Sequence, residues 1–324
     1  MFKVLSIDGG GIRGVIPGVL LQYLEEEAGR GIAEMFDLMV GTSTGGILAT
    51  GLSAPKADDK PRYSAAEMLA FYVERGAEIF HRSLWRGITS VGGATDEQYD
   101  HRPLERLLKQ YLGDATLAEC LVPIVVTSYD IERREPYFFK TRRAREKKDR
   151  NHYLRDVARA TSAAPTFFEP AVVKGMASNT SRRVLVDGGV FVNNPGMCAY
   201  VEAYAHGARH EDIIVVSLGT GTATRRIPYD DAKDWGAIGW IRPIISVMMD
   251  GAADAADYQL RQILPDSDAG QDQRYFRFDT DLDLALDDMD AANAGNIQAL
   301  KDEAQQIVEK QGRELERLLR ILCG

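Results

Sequence analysis

Short apolar runs alternate with amphipathic segments along most of this chain. Residues 2–7 (FKVLSI), 36–43, 120–131, 182–189 and 212–222 are apolar and rich in β-branched positions, and several run straight into glycine. Each predicts a strand buried on both faces. The segments between them predict helices over 15–28, 45–54, 64–80, 102–113, 154–165 and 193–207. Their ends carry stop and start signals: Pro17 in a first turn, Ser64 with Glu67 as a capping box, Gly113 and Pro165 as terminators, Asn194 before Pro195. EPYFFKT (135–141) reads as the hairpin partner of 120–131. Residues 85–100, glycine-rich and without periodicity, read as a loop. Beyond residue 222 the pattern turns helical: a helix over 235–264, a strand over 275–280, and one long helix over 295–322. Strand–helix alternation of this kind predicts an α/β fold with a mostly parallel central sheet. A single domain over 1–324 follows, with its core in 1–222 and covering helices in 223–324.

Composition narrows the partners. The formal net charge is −9, whereas a nucleic-acid binder needs a basic stripe, so no nucleic acid polymer is expected as a partner. The three cysteines, Cys120, Cys198 and Cys323, have no paired spacing. They read as reduced thiols rather than a disulfide framework or a zinc site. The chain enters its first strand at Phe2 without a signal-peptide pattern, and no apolar stretch approaches the length of a bilayer span. A cytoplasmic protein is the expectation. One dense basic run, TRRAREKKDR (141–150), reads either as a solvated loop or as a surface for anionic headgroups.

Three strand ends carry unusual chemistry: DGGGIRG (8–14), GTSTG (41–45) and DGG (187–189). In an open α/β sheet such ends form the crevice where ligands bind. Gly41-Thr42-Ser43-Thr44-Gly45 fits the G-x-S-x-G turn that lifts a serine hydroxyl off the sheet at a helix N-terminus. A serine nucleophile needs a base. None of His81, His101, His152, His206 and His210 follows a late strand in a short loop, where an α/β-hydrolase places its base. Asp187, at the rim of the core after Val-Leu-Val, is the better candidate, because desolvation raises a carboxylate's basicity. It reads equally as a plain Asp-Gly turn. Gly9-x-Gly11-x-x-Gly14 matches the dinucleotide fingerprint, but the second strand ends in Gly-Thr-Ser where that site needs an acid. What remains is a loop presenting backbone N–H groups beside a serine, the makings of an oxyanion hole. Arg13 either adds positive charge there or pins the loop to a carboxylate.

DGGGIRG, GTSTGG and DGG followed by NNP, with ATSAAPTFFEP (160–170) and SLGTGT (217–222), resemble the patatin-like phospholipases from residue 3 to about 222. WGAIGWIRPI and DYQL match more loosely. The resemblance implies a three-layer α/β/α sandwich and a serine acyl hydrolase of the phospholipase A or lysophospholipase type. It implies Ser43 as nucleophile, Asp187 as base, and the backbone of Gly9, Gly10 and Gly11 as oxyanion hole, supported by Arg13. It implies no cofactor and no metal. The substrate would be a glycerophospholipid or other acyl-ester lipid met in transient contact with a membrane surface. The apolar helix around Trp240, Ile244, Ile245, Val247, Met248 and Met249 reads as an acyl groove or as ordinary core, and the loop with Trp85 as a lid. Acyl transfer is the alternative when water is kept from the acyl-enzyme. Some bacterial relatives are cyclic-nucleotide-switched defence effectors, and no such site is visible in the sequence. A non-catalytic lipid-binding protein is opposed by the intact Ser43 and Asp187.

Overall fold

The structure is a computed structural model that describes residues 1–58, 60–80, 99–265 and 273–324, with the backbone alone at 237, 238, 241 and 242. His81, Trp85 and nearly all of the 85–100 loop lie outside the described residues.

The strands are β1 (Phe2–Ile7), β2 (Leu38–Thr42), β3 (Ile124–Asp130), β4 (Glu135–Lys140), β5 (Ala171–Val173), β6 (Arg183–Asp187), β7 (Ile213–Leu218) and β8 (Tyr275–Phe278). They form one sheet in the order β5-β6-β3-β2-β1-β7-β8, with β4 also paired to β3. The β3-β2-β1-β7-β8 stretch is parallel, and β4, β5 and β6 are antiparallel to their neighbours. The antiparallel pairing of β4 with β3 is the hairpin read from the sequence.

Period-2 alternation gives the sheet two buried faces. Leu5, Ile7, Met39 and Val216 join the larger core, and Val4, Leu38, Val40 and Val215 the smaller. Over the larger face lie α1 (Val15–Ala28), α2 (Ile32–Met35), α3 (Thr44–Ser53), α4 (Ala65–Ile79), α5 (His101–Leu112) and α7 (Leu154–Thr161). The smaller face is covered by α8 (Gly196–Ala205) and α10 (Ala237–Ile263). The result is a three-layer α/β/α sandwich. Short α6 (Thr141–Glu146) and α9 (Tyr229–Ala232), and the C-terminal α11 (Ala294–Lys310) and α12 (Gly312–Cys323), complete the helices. The Ser64–Glu67 capping box forms in both directions at the start of α4.

The final helix and the basic run differ from their sequence reading. The final helix breaks at Gln311, where Gly312 is a poor helix former and the Gln311 amide reaches the Asp279 carbonyl. Both halves pack on α1. The strand expected over 275–280 forms as β8 and pairs with β7 at the sheet edge. The basic run folds into α6 and a 3-10 turn. It leaves the sheet after Lys140, opposite Val125 and Val40, at the end of the parallel strands away from Ser43. Arg142 and Arg143 pair there with Glu146, and Arg145 donates to the Ala118 and Cys120 carbonyls.

Candidate active site

Ser43 sits alone between β2 and α3 with φ 53° and ψ −120°. An L-residue held there costs about 1–3 kcal/mol, so the surroundings must over-determine it. They do so in two ways. First, strand and helix meet with no room for side chains. A Cβ on Gly41 would strike the Gly45 carbonyl, and one on Gly45 would strike the Ile7 carbonyl of β1. Second, the buried Ser43 N–H donates to Thr161 Oγ1 at 2.8 Å, and that hydroxyl donates to the Thr127 carbonyl at 2.7 Å. Thr42 donates to the Val192 carbonyl at 2.8 Å. The turn is thus tied to α7, to β3 and to the segment after β6.

Asp187 ends β6, and its own N–H donates to the Ala163 carbonyl at 3.0 Å. Its carboxylate faces the Ser43 hydroxyl and accepts the Gly189 N–H at 2.7 Å. Complete burial pushes its pKa up to about 7, against the pull of the Ser43 hydroxyl and the Gly189 N–H. A carboxylate of this kind is basic enough to take a proton near neutral pH.

The glycine loop is held at both ends. The Gly9 N–H donates to the Asn193 carbonyl at 3.1 Å, and the Gly9 carbonyl accepts from Thr220 Oγ1 at 2.7 Å. Ile12 N–H donates to the Met289 carbonyl at 2.9 Å. Between these anchors, the N–H groups of Gly10 and Gly11 have no acceptor among the described residues. Gly11 has φ 59°, and a Cβ there would collide with Met289. Of the three expected donors, Gly9 is therefore occupied within the protein, and Gly10 and Gly11 are free. Arg13 is buried and donates to the Gly221 carbonyl at 3.2 Å, with a longer contact to Gly10. It pins the loop to carbonyls rather than to a carboxylate. Asp8 turns away and pairs with Arg277 at 2.8 Å; Arg277 also reaches Asp279 and Ser217.

Gly11, Ser43 and Asp187 line one cavity whose walls are apolar: Ile47 from α3, Ile79 from α4, Phe167 and Phe168 after α7. Ile245, Met248 and Met249 of α10 complete it, so that helix borders the site, while Trp240 does not line it. The described histidines have partners elsewhere. His101 faces Glu169, His152 is buried against Tyr137, His206 lies by Glu202, and His210 bonds Tyr200. Among the described residues no group of His, Cys, Asp and Glu could hold a metal ion. Sequence reasoning did not single out Thr161, Thr220, Asn193 or Met289. The first two lie in TSAAPT and GTGT, so the motifs were visible and the contacts were not.

The chain has relatives of known family. Residues 5–199 match the family model "Patatin-like phospholipase". Patatin-like protein 2 of Oryza sativa subsp. indica is 34% identical over 293 residues, covering 80% of this chain and 72% of that one. Patatin-like protein 2 of Arabidopsis thaliana is 31% identical, covering 97% and 83%. Among solved structures, VipD from Legionella pneumophila aligns over 95% of this chain and 67% of its own, at 13% identity and a TM-score of 0.37. The chain belongs to the patatin-like phospholipase family of lipid acyl hydrolases.

Proposed function

We propose that the protein hydrolyses the fatty acyl esters of lipids through an acyl-enzyme on Ser43, with Asp187 as its only side-chain base. One observation carries this reading: the serine on the strained turn and a buried carboxylate of pKa about 7 face one another in an apolar cavity that Gly11 also lines. Asp187 takes the Ser43 proton as Oγ attacks the ester carbonyl. The Gly10 and Gly11 N–H groups receive the developing oxyanion, and loss of one such donor typically costs about 3–4 kcal/mol in the barrier. Protonated Asp187 then gives its proton to the leaving alcohol or lysolipid. Water next attacks the acyl-enzyme, Asp187 again accepting a proton, and Ser43 is restored. The apolar walls suit a fatty acyl chain, and the family relationship supports a lipid ester. The test is mass analysis of products released from a lipid extract, with Ser43→Ala protein as the control: free fatty acid appearing only with the wild type supports the reading.

Two expected outcomes follow from the geometry. kcat/KM should rise with pH and level off, with a midpoint about 7, because only ionised Asp187 accepts the proton. A flat profile from pH 5 to 9 on a soluble ester would contradict Asp187 as base. Thr161→Val removes the acceptor for the Ser43 N–H while keeping side-chain size. An unpaired buried donor costs about 1–3 kcal/mol. If that cost falls on the geometry of the turn, kcat drops by about 10- to 100-fold with little change in KM. Thr161→Ser, which retains the hydroxyl, should recover most of the rate. Equal kcat for Val and Ser variants would mean the bond does not position Ser43.

A further inference from the structure

The first half of α10 carries two apolar stripes. Ile245 and Met249 face the cavity that contains Ser43 and Asp187. Trp240, Ile244, Val247 and Met248, at i, i+4, i+7 and i+8, share a second face of the helix. That second face is open to water: Ile244 is 39% exposed, Val247 45% and Met248 53%. Met248 belongs to both, since it lines the cavity and is also more than half exposed. The exposed stripe and the inside of the cavity are therefore one continuous apolar surface that turns over the rim at Met248.

We propose that this outward face of α10 is the surface by which the protein docks on a lipid–water interface, delivering a lipid directly into the cavity. The inference rests on the lipid-ester reading above. An acyl chain drawn through water exposes each methylene at about 0.8 kcal/mol, and a mouth whose rim is sunk among lipid tails avoids that exposure. No helix among the described residues is long and apolar enough to cross a membrane, so contact through α10 is peripheral. On the same helix the sequence places Arg242 within this stretch and Asp250 and Asp254 just after it, and the chain carries a net −9. The basic run 141–150 leaves the sheet at the end away from Ser43. The occupant this face fits is the acyl region of a zwitterionic or neutral lipid surface, bound by burial of apolar area rather than by attraction to anionic headgroups.

The test uses Ser43→Ala protein, which binds without turning lipid over, and phosphatidylcholine vesicles. Sedimentation with the vesicles should persist at high salt and should not improve when phosphatidylglycerol is added. Ile244→Gln with Val247→Gln, at positions outside the cavity, should weaken vesicle binding by about tenfold or more. In the otherwise wild-type enzyme the same pair should lower hydrolysis of vesicle lipid and leave a soluble short-chain ester untouched. Doxyl-labelled phosphatidylcholine should quench tryptophan fluorescence, and Trp240→Phe should remove a large part of that quenching. Unchanged sedimentation of the double variant, or absence of quenching, overturns the proposal. Binding that requires phosphatidylglycerol and vanishes at high salt overturns it in favour of a charged surface elsewhere. Equal loss on the soluble ester overturns it too, since the residues then support the fold. A wild-type dimer that the double variant dissociates assigns the face to a second copy of the chain. Vesicle binding by α10 without any lipid hydrolysis by the wild type would sink the enzymatic reading and leave the docking surface standing.

Discussion

Ser43→Ala is expected to lower acyl-ester hydrolysis by about 10⁴-fold or more, because the attacking atom itself is removed. The fold should be nearly untouched. Alanine meets the same backbone strain at φ 53° as serine does, and the N–H bond to Thr161 Oγ1 does not involve the lost hydroxyl. Thermal unfolding checks this, with a midpoint within about 1–2 °C of the wild type. An alkyl phosphonate that mimics the tetrahedral intermediate should label Ser43 in the wild type, and no serine in the variant. Labelling of another serine, or retained hydrolysis in a folded variant, removes Ser43 from the mechanism.

Asp187→Asn should be almost as damaging to the rate and yet should stabilise the protein above neutral pH. Asparagine can still accept from the Gly189 N–H and sit opposite the Ser43 hydroxyl, but it cannot accept a proton. For stability, the folded-state pKa of about 7 lies above the ordinary carboxylate value of 3.8. The native state therefore binds this proton more tightly than the unfolded chain does. Its advantage is complete below the unfolded pKa and is lost as pH climbs through about 7. At pH 8 the wild type must bury a charge, at a cost of up to a few kcal/mol; asparagine carries none at any pH. Unfolding scans at pH 5 and pH 8 should show a larger gain in midpoint for the variant at pH 8. An inactive variant with lower stability at both pH values would mean that Asp187 is chiefly a structural turn residue. A histidine substitution that abolished hydrolysis while Asp187→Asn spared it would replace the dyad by a triad.

Much of the fold was legible because its signals are local. The capping box of α4 needs only Ser64 and Glu67, and the central strands are continuous apolar runs because both faces are covered. The break at Gln311 escaped notice because apolar periodicity continues across it, through Ile307 and Leu315 to Leu318 and Leu322, which are all buried. β5 has three residues and depends on β6 for its existence, so no pattern of its own announces it. The three strand-end motifs were legible for the same reason as the helices: each is a contiguous run of small or acidic residues. Which glycine N–H groups are free was not. That depends on the Asn193 carbonyl arriving from one part of the chain and the Met289 carbonyl from another. The anchoring role of Thr161 was hidden likewise, since a threonine at the end of a helix has the same letter whether it caps, packs or holds a nucleophile in place.

The Met289 contact makes the glycine loop depend on a segment far along the chain. Ser43 and Asp187 both precede the segment whose Met289 carbonyl fastens Ile12, and the strand that leads into it, β8, can pair only once β7 is in place. A nascent chain still on the ribosome thus holds a serine and a carboxylate beside a glycine loop with one end untied. On the proposed mechanism, the loop that would receive the oxyanion is fully tied only when that segment has folded back onto it. Chains that stop short of Met289 lack one of the two ties that fix that loop.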